Sequence, residues 1–459
     1  MDTTCRDKTY LEISKGYATT NKEYSEYEYS SGILVHLHYI EQGVCMVDIS
    51  NRKKYESNRI RVKLLDEFQK TVLSEYSERF YEVGLRVDDP HIVLVRNSPI
   101  TVSMLDQWPS LIVIARAGSG VESLSATEAT ERGIVVLNTP GANAQGVAEL
   151  TMAALLAFSR NLIPAVCFME AQGAEKTLEN MRAVVKKGRN EFAGFELYGK
   201  KIAIIGLGFI GLRFAVICQG FGMIVSGYDN NPTVRARAEN EHGILQSDSV
   251  EDAVRGVDII SVHVPLDEET EGIIGMNEIQ LMNRKNPSKV VLNFARDGVC
   301  NEISIFSAID EGLLSGYVTD FSTPLALRKS MQSDKVIVLP HLGASTSESD
   351  GHAQDRAVSA TLRFLKKGIV EGGVSLPDCI LSDSRGVTRF VVVHRNSQNV
   401  LARITALLSL EVRIVSLSSE TKNEYSYTVF DFCGSVTPET MEQVRAIEGC
   451  CGSRTIIFR

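Results

Sequence analysis

The stretch that most constrains the fold is residues 201–229, KIAIIGLGFIGLRFAVICQGFGMIVSGYD. A short β-branched run precedes Gly206, Gly208 and Gly211, a helix-length segment follows, and Asp229 comes 18 positions after the last glycine (229 − 211 = 18). This pattern predicts a strand, a tight turn and a helix that together bind a dinucleotide, with Asp229 on the ribose hydroxyls. The predicted cofactor is NAD rather than NADP; the alternative is a strand–helix turn that binds nothing.

The same alternation of strands and helices continues on both sides of this unit. Strand-like runs come before it as RIRVKLL, HIVLVR, LIVIARAG and GIVVLNT, and after it as DIISVHVPL, KVVLNFA, GYVTDF and KVIVLPH. Such alternation predicts parallel, doubly wound sheets. From residue 388 the order becomes strand, helix, strand, strand, helix, strand, which is ferredoxin-like. We therefore predict an α/β fold with two Rossmann-like domains and a C-terminal ferredoxin-like α+β domain.

Composition excludes several classes of function. The chain has 459 residues, 44% of them hydrophobic, which is enough for several cores. A net charge of −9 argues against a nucleic-acid-binding surface. The nine cysteines lack metal-binding spacing, so we expect free thiols and no metal. We expect no membrane span and no signal peptide, and therefore a soluble, cytoplasmic protein.

Two side chains that suit hydroxy-acid chemistry follow predicted strands. Arg296 comes after VVLNFA, and His341 comes after VIVLP. A guanidinium can hold a carboxylate through two parallel hydrogen bonds, and an imidazole can move a proton near neutral pH. The alternatives are a surface arginine and a histidine with a structural role.

Several motifs, in their order along the chain, resemble the D-2-hydroxyacid dehydrogenase family. They are IARAGSGV, NTPGANAQGVAEL, GLGFIG, GYD, HVPL, NFARDG, YVTDF and PHLGAST. The resemblance runs from about residue 61 to 375, and residues 388–459 resemble an ACT regulatory domain. It implies a homodimer or homotetramer that oxidises 3-phospho-D-glycerate to 3-phosphooxypyruvate with NAD, in serine synthesis. The alternatives are another 2-hydroxy or 2-oxo acid as substrate, or a non-catalytic NAD-sensing regulator.

The resemblance also implies a division into domains. Residues 1–60 are an extension of unknown role, in which residues 32–40 could form a strand. A discontinuous substrate-binding domain takes residues 61–145 and 344–375, and the NAD-binding domain takes residues 146–343. A linker at residues 376–387 leads to the ACT-like domain at residues 388–459.

Roles follow from the resemblance position by position. Arg296 resembles the catalytic, substrate-binding arginine and His341 the acid/base. Besides the glycines, the positions that resemble cofactor contacts are Phe209, Ile210, Asp229, Pro265, Ala295 and Asp320. Those that resemble contacts to the substrate's carboxylate and phosphate are Arg96, Arg116 and Ser119. Several cations suit a phosphorylated acid, which carries about three negative charges.

Two departures from the family pattern concern the catalytic pair. Ser322, Thr323 and Pro324 stand where the family usually has a glutamate that pairs with the histidine. Either His341 works without a partner, which would shift the pH optimum, or another carboxylate substitutes. Asp297 replaces the usual glycine after Arg296, and its carboxylate could pair with Arg296 or point to solvent.

A third departure lies in the ACT-like segment. His394 and Asn396 resemble positions of a serine site, so inhibition by L-serine is a hypothesis. Gln398 and Asn399 replace the usual Pro-Gly, and Arg413 stands where asparagine is common.

Overall fold

The computed structural model describes residues 24–28, 34–40, 43–47, 59–172, 177–381 and 388–458, with only the backbone in the first three ranges. Two compact units divide the chain. The first unit runs up to Ala142 and resumes at Gly351, and the second unit is Asn143–Asp350. Most of the predicted extension and residues 382–387 of the predicted linker lie outside the described residues. The predicted five-segment division stays a prediction.

The N-terminal segment contributes three antiparallel strands to the first unit. They are β1 (Tyr24–Glu28), β2 (Leu34–Ile40) and β3 (Gly43–Val47). Strand β2 lies between the other two, with Tyr24 opposite His38 and His36 opposite Val47. The predicted strand at residues 32–40 thus corresponds to β2.

A parallel sheet of the first unit follows. Its strands are β4 (Ile60–Leu64), β5 (Tyr81–Gly84), β6 (Ile92–Val95), β7 (Val113–Arg116) and β8 (Val135–Leu137), in the order β5-β4-β6-β7-β8. Its helices are α1 (Lys70–Leu73), α2 (Val102–Gln107) and α3 (Ala126–Glu131). All four residues of the apolar strand β6 are buried, as expected of a parallel sheet that is covered on both faces.

The second unit is a longer parallel sheet with helices. Its strands are β9 (Lys201–Ile205), β10 (Ile224–Tyr228), β11 (Leu245–Gln246), β12 (Ile259–Val262), β13 (Val290–Asn293), β14 (Gly316–Thr319) and β15 (Val336–Val338). Its helices are α4 (Ala144–Ser159), α5 (Leu162–Glu170), α6 (Leu178–Glu191), α7 (Phe209–Gly220), α8 (Pro232–His242), α9 (Val250–Val254), α10 (Met276–Leu281), α11 (Glu302–Asp310) and α12 (Pro324–Ser330).

The strand order β11-β10-β9-β12-β13-β14-β15 is doubly wound about β9. Strands β10 and β12 flank β9. After β9 the chain forms β10 and β11 on one side of it, and then β12 to β15 on the other side. Ligands of such sheets bind at the carboxyl ends of the strands beside this switch point. Phe214 of α7 packs on Ile202 and Ile204 of β9 and fixes the helix over the sheet.

The C-terminal part returns to the first unit. Helix α13 (Ser347–Lys367) leads to β16 (Thr388–Arg395), α14 (Val400–Glu411), β17 (Arg413–Lys422), β18 (Tyr425–Cys433), α15 (Pro438–Arg445) and β19 (Cys450–Phe458). The antiparallel sheet has the order β1-β2-β3-β19-β16-β18-β17, so β3 extends the ferredoxin-like sheet at β19. The predicted fold class, two parallel sheets and a C-terminal α+β domain, is confirmed.

Both faces of this antiparallel sheet are covered within the first unit. Phe390 and Phe430 pack with α14 and α15 on one face. Val391 and Tyr427 on the other face join a core that includes Leu365 of α13. The C-terminal domain therefore shares a continuous core with the first parallel sheet.

Within the described ranges no single helix is long and apolar enough to cross a membrane. Helices α4 and α5 together meet the length and composition criteria, but they are bent by 62°. Half of the residues of α4 are buried in the unit, as in a core helix.

Candidate active site

The glycine-rich turn after β9 has the backbone that its sequence predicts. Gly206 has φ +93°, and its N–H donates to the carbonyl of Tyr228 at 2.8 Å. A Cβ at Gly211 would lie 1.9 Å from the carbonyl oxygen of Gly206, so only glycine allows this approach. Gly208 is the N-cap of α7, whose first N–H groups are available for a phosphate.

Asp229 lies beside this turn at the end of β10. Its carboxylate accepts hydrogen bonds from the N–H groups of Leu207, at 2.9 Å, and Asn231, at 3.0 Å. It lines a cavity of about 780 Å³ together with Gly206, Gly208 and Pro265. The cavity wall thus combines a phosphate-binding turn with a carboxylate that can accept hydrogen bonds from ribose hydroxyls. The residues present therefore fit a dinucleotide.

The other predicted cofactor residues take different positions. Phe209 is 60% exposed at the start of α7, Ile210 packs on the core, and Ala295 is buried. A residue that the sequence analysis missed, His263, also lines the cavity, with its Nε2 2.8 Å from Ser261 Oγ. Burial lowers the pKa of His263 to about 3, so its ring is neutral.

Arg296 follows β13 on a loop that is held by Asn293. The Asn293 side chain accepts from the N–H of Ala295 at 3.1 Å and donates to the carbonyl of Arg296 at 2.9 Å. Asn293 is 2% exposed, and its amide nitrogen also donates to the Tyr317 hydroxyl at 3.4 Å. The Arg296 guanidinium is half-buried and donates to the carbonyl of Ala295 at 2.9 Å. Sequence reasoning missed Asn293, although it begins the motif NFARDG.

Asp297 settles one of the open alternatives. Its side chain is exposed, and among the described residues no ion pair joins it to Arg296. The Asp297 carboxylate therefore points to solvent and does not pair with Arg296.

His341 follows β15 and is exposed at the same edge of the sheet. It has φ +56°, which is uncommon for a residue other than glycine. Its ring meets the ring of Phe321 edge-on, with centroids 5.1 Å apart. Within the described part of the second unit, no carboxylate forms an ion pair or hydrogen bond with this ring. The second unit therefore supplies no substitute for the missing glutamate.

The residues at the place of that glutamate have other partners. The Ser322 hydroxyl donates to the carbonyl of Leu339 at 3.1 Å. The Thr323 hydroxyl caps α12 and donates to the carboxylate of Glu302 at 2.6 Å. Burial, and then the negative charge of Asp297, raises the pKa of Glu302 above its ordinary value, while the Thr323 bond opposes this change.

The predicted substrate-binding residues lie in the first unit. Arg116 ends β7, and its Nη1 donates to Ser123 at 2.9 Å. The Nε of Arg116 is buried and has no hydrogen-bond partner among the described residues. Arg96 donates to the carbonyl of Glu67 at 3.1 Å. The carbonyl of Ser119 accepts from Asn138 at 2.9 Å, which fixes the glycine turn after β7.

The predicted effector residues are also in the first unit. His394 is 3% exposed, with Nδ1 2.9 Å from the carbonyl of Arg395 and Nε2 2.9 Å from Thr428 Oγ1. Asn396 is exposed, and its N–H donates to the carbonyl of Glu424 at 2.7 Å. Both ring nitrogens of His394 are therefore occupied within the sheet. Inhibition by L-serine stays a prediction.

Among the described residues, no group of three or more His, Cys, Asp and Glu side chains is arranged to hold a metal ion.

Comparison with known proteins places the chain in a family. Residues 152–343 match the family model described as D-isomer specific 2-hydroxyacid dehydrogenase, NAD binding domain. The chain is 30% identical over 324 residues to glyoxylate reductase of Thermococcus litoralis, which covers 66% of this chain and 93% of that protein. The chain belongs to the D-2-hydroxyacid dehydrogenase family, and residues 152–343 form its NAD binding domain. The predicted family and cofactor are confirmed.

Other relatives are named for one substrate. The chain is 32% identical over 320 residues to D-3-phosphoglycerate dehydrogenase of Methanocaldococcus jannaschii, covering 67% of this chain and 57% of that protein. It is 30% identical over 288 residues to the Bacillus subtilis protein of the same name, covering 62% of this chain and 51% of that protein. The chain therefore spans little more than half the length of these two relatives.

Solved structures show the same fold. NAD-bound 3-phosphoglycerate dehydrogenase of Entamoeba histolytica has a TM-score of 0.53 at 24% identity, covering 69% of this chain and 98% of that chain. An NADPH-dependent glyoxylate/hydroxypyruvate reductase of Sinorhizobium meliloti has a TM-score of 0.54 at 22% identity, covering 70% of this chain and 97% of that chain. These likenesses concern the dehydrogenase fold alone.

Proposed function

We propose that the chain is an NAD-dependent dehydrogenase that oxidises 3-phospho-D-glycerate to 3-phosphooxypyruvate. One observation carries the dehydrogenase part of the proposal. The glycine-rich turn, the Arg296 loop and the His341 loop follow β9, β13 and β15, and so lie at the carboxyl edge of one parallel sheet. A cofactor turn, a carboxylate-binding cation and a proton acceptor on one edge are the groups that this chemistry requires.

Each group has a role in the reaction. Gly206, Gly208 and Asp229 hold NAD, which accepts the hydride when it is bound. Arg296 binds the substrate carboxylate and polarises the reacting oxygen. His341 accepts the hydroxyl proton, so that loss of the proton and the hydride converts the C–O single bond into a carbonyl.

The choice of a phosphorylated acid rests on cations and on relatives. Arg116 has a buried Nε without a partner among the described residues, and such a donor favours an anionic oxygen. We assign phosphate or carboxylate binding to Arg116, to Ser119 in the same sequence motif, and to Arg96, which follows the neighbouring strand β6. The relatives named D-3-phosphoglycerate dehydrogenase support this substrate.

The catalytic assignment is tested by NADH formation from 3-phospho-D-glycerate between pH 6 and pH 10. We expect His341→Ala and Arg296→Ala each to lower kcat by about 100-fold or more, because each removes a group that acts in the transition state. Calorimetric titration with NAD should give the wild-type Kd in both variants. A folded wild type that binds NAD and oxidises no acid would contradict the proposal and favour an NAD-sensing regulator.

The same assay with D-glycerate tests the substrate assignment. Arg116→Ala should lower kcat/KM for the phosphorylated acid more than for D-glycerate. Arg132→Ala is the matched control, because Arg132 is a first-unit arginine whose guanidinium pairs with Asp106 at 2.8 Å. Equal losses for both acids in Arg116→Ala would remove phosphate binding from its role.

A second candidate function is reduction of a small 2-oxo acid such as glyoxylate. The Thermococcus litoralis relative is named glyoxylate reductase, and the match covers 93% of its length. NADH consumption with glyoxylate, compared with 3-phosphooxypyruvate, decides between the two substrates by their kcat/KM values.

A further inference from the structure

A buried asparagine and a buried tyrosine lie beside the loop that carries Arg296. Asn293 ends β13, and Tyr317 lies on the neighbouring strand β14. The register of the sheet places Asn293 opposite Thr319 and Val291 opposite Tyr317. Because successive side chains of a strand point to opposite faces of the sheet, Asn293 and Tyr317 lie on one face. The Asn293 amide nitrogen donates to the Tyr317 hydroxyl at 3.4 Å.

The amide of Asn293 holds the backbone of the Arg296 loop at two points. Its oxygen Oδ1 accepts the N–H of Ala295 at 3.1 Å, and its nitrogen Nδ2 donates to the carbonyl of Arg296 at 2.9 Å. An asparagine amide has two N–H donors, so the second donor is the one that meets the Tyr317 hydroxyl. Every hydrogen-bonding atom of this buried amide therefore has a partner, and the loop and the tyrosine share one side chain.

Packing fixes the position of the Tyr317 hydroxyl. The residue is fully buried, and its ring meets the ring of Phe306 edge-on, with centroids 6.0 Å apart. Burial raises the pKa of Tyr317 well above its ordinary value, so the hydroxyl keeps its proton. Its oxygen is thus a neutral acceptor in a fixed place for the amide of Asn293.

The guanidinium of Arg296 depends on the same loop backbone. Its Nη1 donates to the carbonyl of Ala295 at 2.9 Å, so the side chain rests on the segment that Asn293 holds. Without the Tyr317 hydroxyl, one N–H of the Asn293 amide would be buried without a partner, which costs free energy. The amide would then shift toward another acceptor, and the loop backbone that it binds would shift with it.

We propose that Tyr317 is a positioning residue for Arg296 and acts through the side chain of Asn293. This inference rests on the proposed function of Arg296, which binds the substrate carboxylate and polarises the reacting oxygen. In this proposal neither Tyr317 nor Asn293 contacts the acid. The hydroxyl of Tyr317 instead sets where the guanidinium of Arg296 stands when the acid binds.

The variant Tyr317→Phe removes the hydroxyl and keeps the ring. We expect kcat/KM for 3-phospho-D-glycerate to fall about 3- to 30-fold, because a small displacement of a substrate-positioning group has such an effect. Asn293→Ala removes all three hydrogen bonds of the amide and should lower kcat/KM on the order of 100-fold. An unchanged kcat/KM in Tyr317→Phe would overturn the proposal.

A control of the same residue type is Tyr427→Phe. Tyr427 is also fully buried, and its hydroxyl donates to the carbonyl of Gly368 at 2.8 Å. It belongs to the first unit, whereas the Arg296 loop belongs to the second. Tyr427→Phe should lower the melting temperature and keep the wild-type kcat/KM. Equal losses of kcat/KM in the two tyrosine variants would attribute the effect of Tyr317→Phe to general stability and overturn the proposal.

A double-mutant cycle with Arg296→Ala separates a positioning role from an independent one. If Tyr317 acts through Arg296, then Tyr317→Phe has no further effect on kcat/KM in a chain that already carries Arg296→Ala. Independent, multiplicative losses in the double variant would overturn the proposal.

Hydrogen exchange gives a readout that needs no turnover. The amide of Ala295 should exchange at least about threefold faster in Tyr317→Phe and at least about tenfold faster in Asn293→Ala, while amides of β9 keep the wild-type rate. Wild-type exchange at Ala295 in both variants would overturn the proposal. A wild type that oxidises no acid would instead end the proposed function, whereas the exchange rates still report whether the tyrosine holds the loop.

Discussion

Asp229 and Asp320 follow parallel strands of one sheet, and both accept N–H groups from a loop beside them. Asp229 accepts one from the glycine-rich turn, and Asp320 accepts two, through its carboxylate, from the His341 loop. They differ in burial. Asp229 is half-buried and lines the cavity, whereas Asp320 is 3% exposed. At equivalent strand ends, the two carboxylates thus support different loops, and the predicted cofactor contact of Asp320 stays a prediction.

The difference lies in access and not in the number of bonds, because each carboxylate accepts two backbone N–H groups. A carboxylate has about four acceptor positions. Asp229 can use the positions that face the cavity for ribose hydroxyls, since solvent or ligand reaches them. Asp320 is buried, and two of its acceptor positions are filled by the N–H groups of the His341 loop. Changes to the two aspartates should therefore disturb different loops.

The largest effect is expected from a change in the turn that Asp229 supports. In Gly211→Ala the added methyl group would lie 1.9 Å from the carbonyl of Gly206, so the turn must move. Overpacking costs about 1–3 kcal/mol, which corresponds to about 5- to 150-fold weaker NAD binding if it falls on the bound state. Calorimetric titration with NAD measures the Kd of the variant. Gly220→Ala is the control, since a Cβ there meets nothing within 4 Å, and it should bind NAD as the wild type does.

A smaller effect is expected from Asp229 itself. Asp229→Asn removes the negative charge that favours ribose hydroxyls and repels a 2′-phosphate. We expect the KM for NAD to rise about tenfold and the preference for NAD over NADP to shrink, because a hydrogen bond to a charged group contributes about 1.5–3 kcal/mol. Initial rates with each cofactor measure both. An unchanged ratio of kcat/KM values for the two cofactors would exclude Asp229 from ribose recognition.

The smallest effect is expected from a third carboxylate of intermediate burial, that of Glu302. Its pKa is raised, so the folded protein disfavours the ionised form, and the stability from this group falls as pH rises above the ordinary value of 4.5. Glu302→Gln keeps an acceptor for Thr323 and removes the charge. We expect its melting temperature to exceed that of the wild type by about 1–2 °C at pH 7 and by less at pH 5. Thermal unfolding at both pH values checks this, and a less stable variant at pH 7 would contradict it.

The sequence predicts one of the two aspartate environments well. The glycine spacing, the strand before it and Asp229 lie within one short segment, and that local pattern predicts the turn, the helix and the cavity carboxylate. The apolar runs likewise predict the strands, because parallel sheets are buried on both faces. The fold and the cofactor therefore follow from the sequence.

The supporting residues do not follow from the sequence in the same way. Asp320 and His341 are 21 positions apart (341 − 320 = 21), and no spacing indicates which N–H groups the carboxylate accepts. Asn293 has an ordinary residue type at a strand end, and only its burial marks it as a support for Arg296. Asn399 stands where the ACT-like pattern usually has glycine, and its backbone lies in the left-handed region. Asparagine tolerates that conformation, which accounts for the replacement.

The most direct test measures initial rates of NADH formation against NAD concentration in Asp229→Asn and Asp320→Asn. At saturating acid each titration gives kcat and the KM for NAD. We expect a raised KM with kcat largely kept in Asp229→Asn, and a lowered kcat in Asp320→Asn. A parallel rise of KM in both variants, with kcat kept in Asp320→Asn, would contradict the assignment of the buried aspartate to the His341 loop.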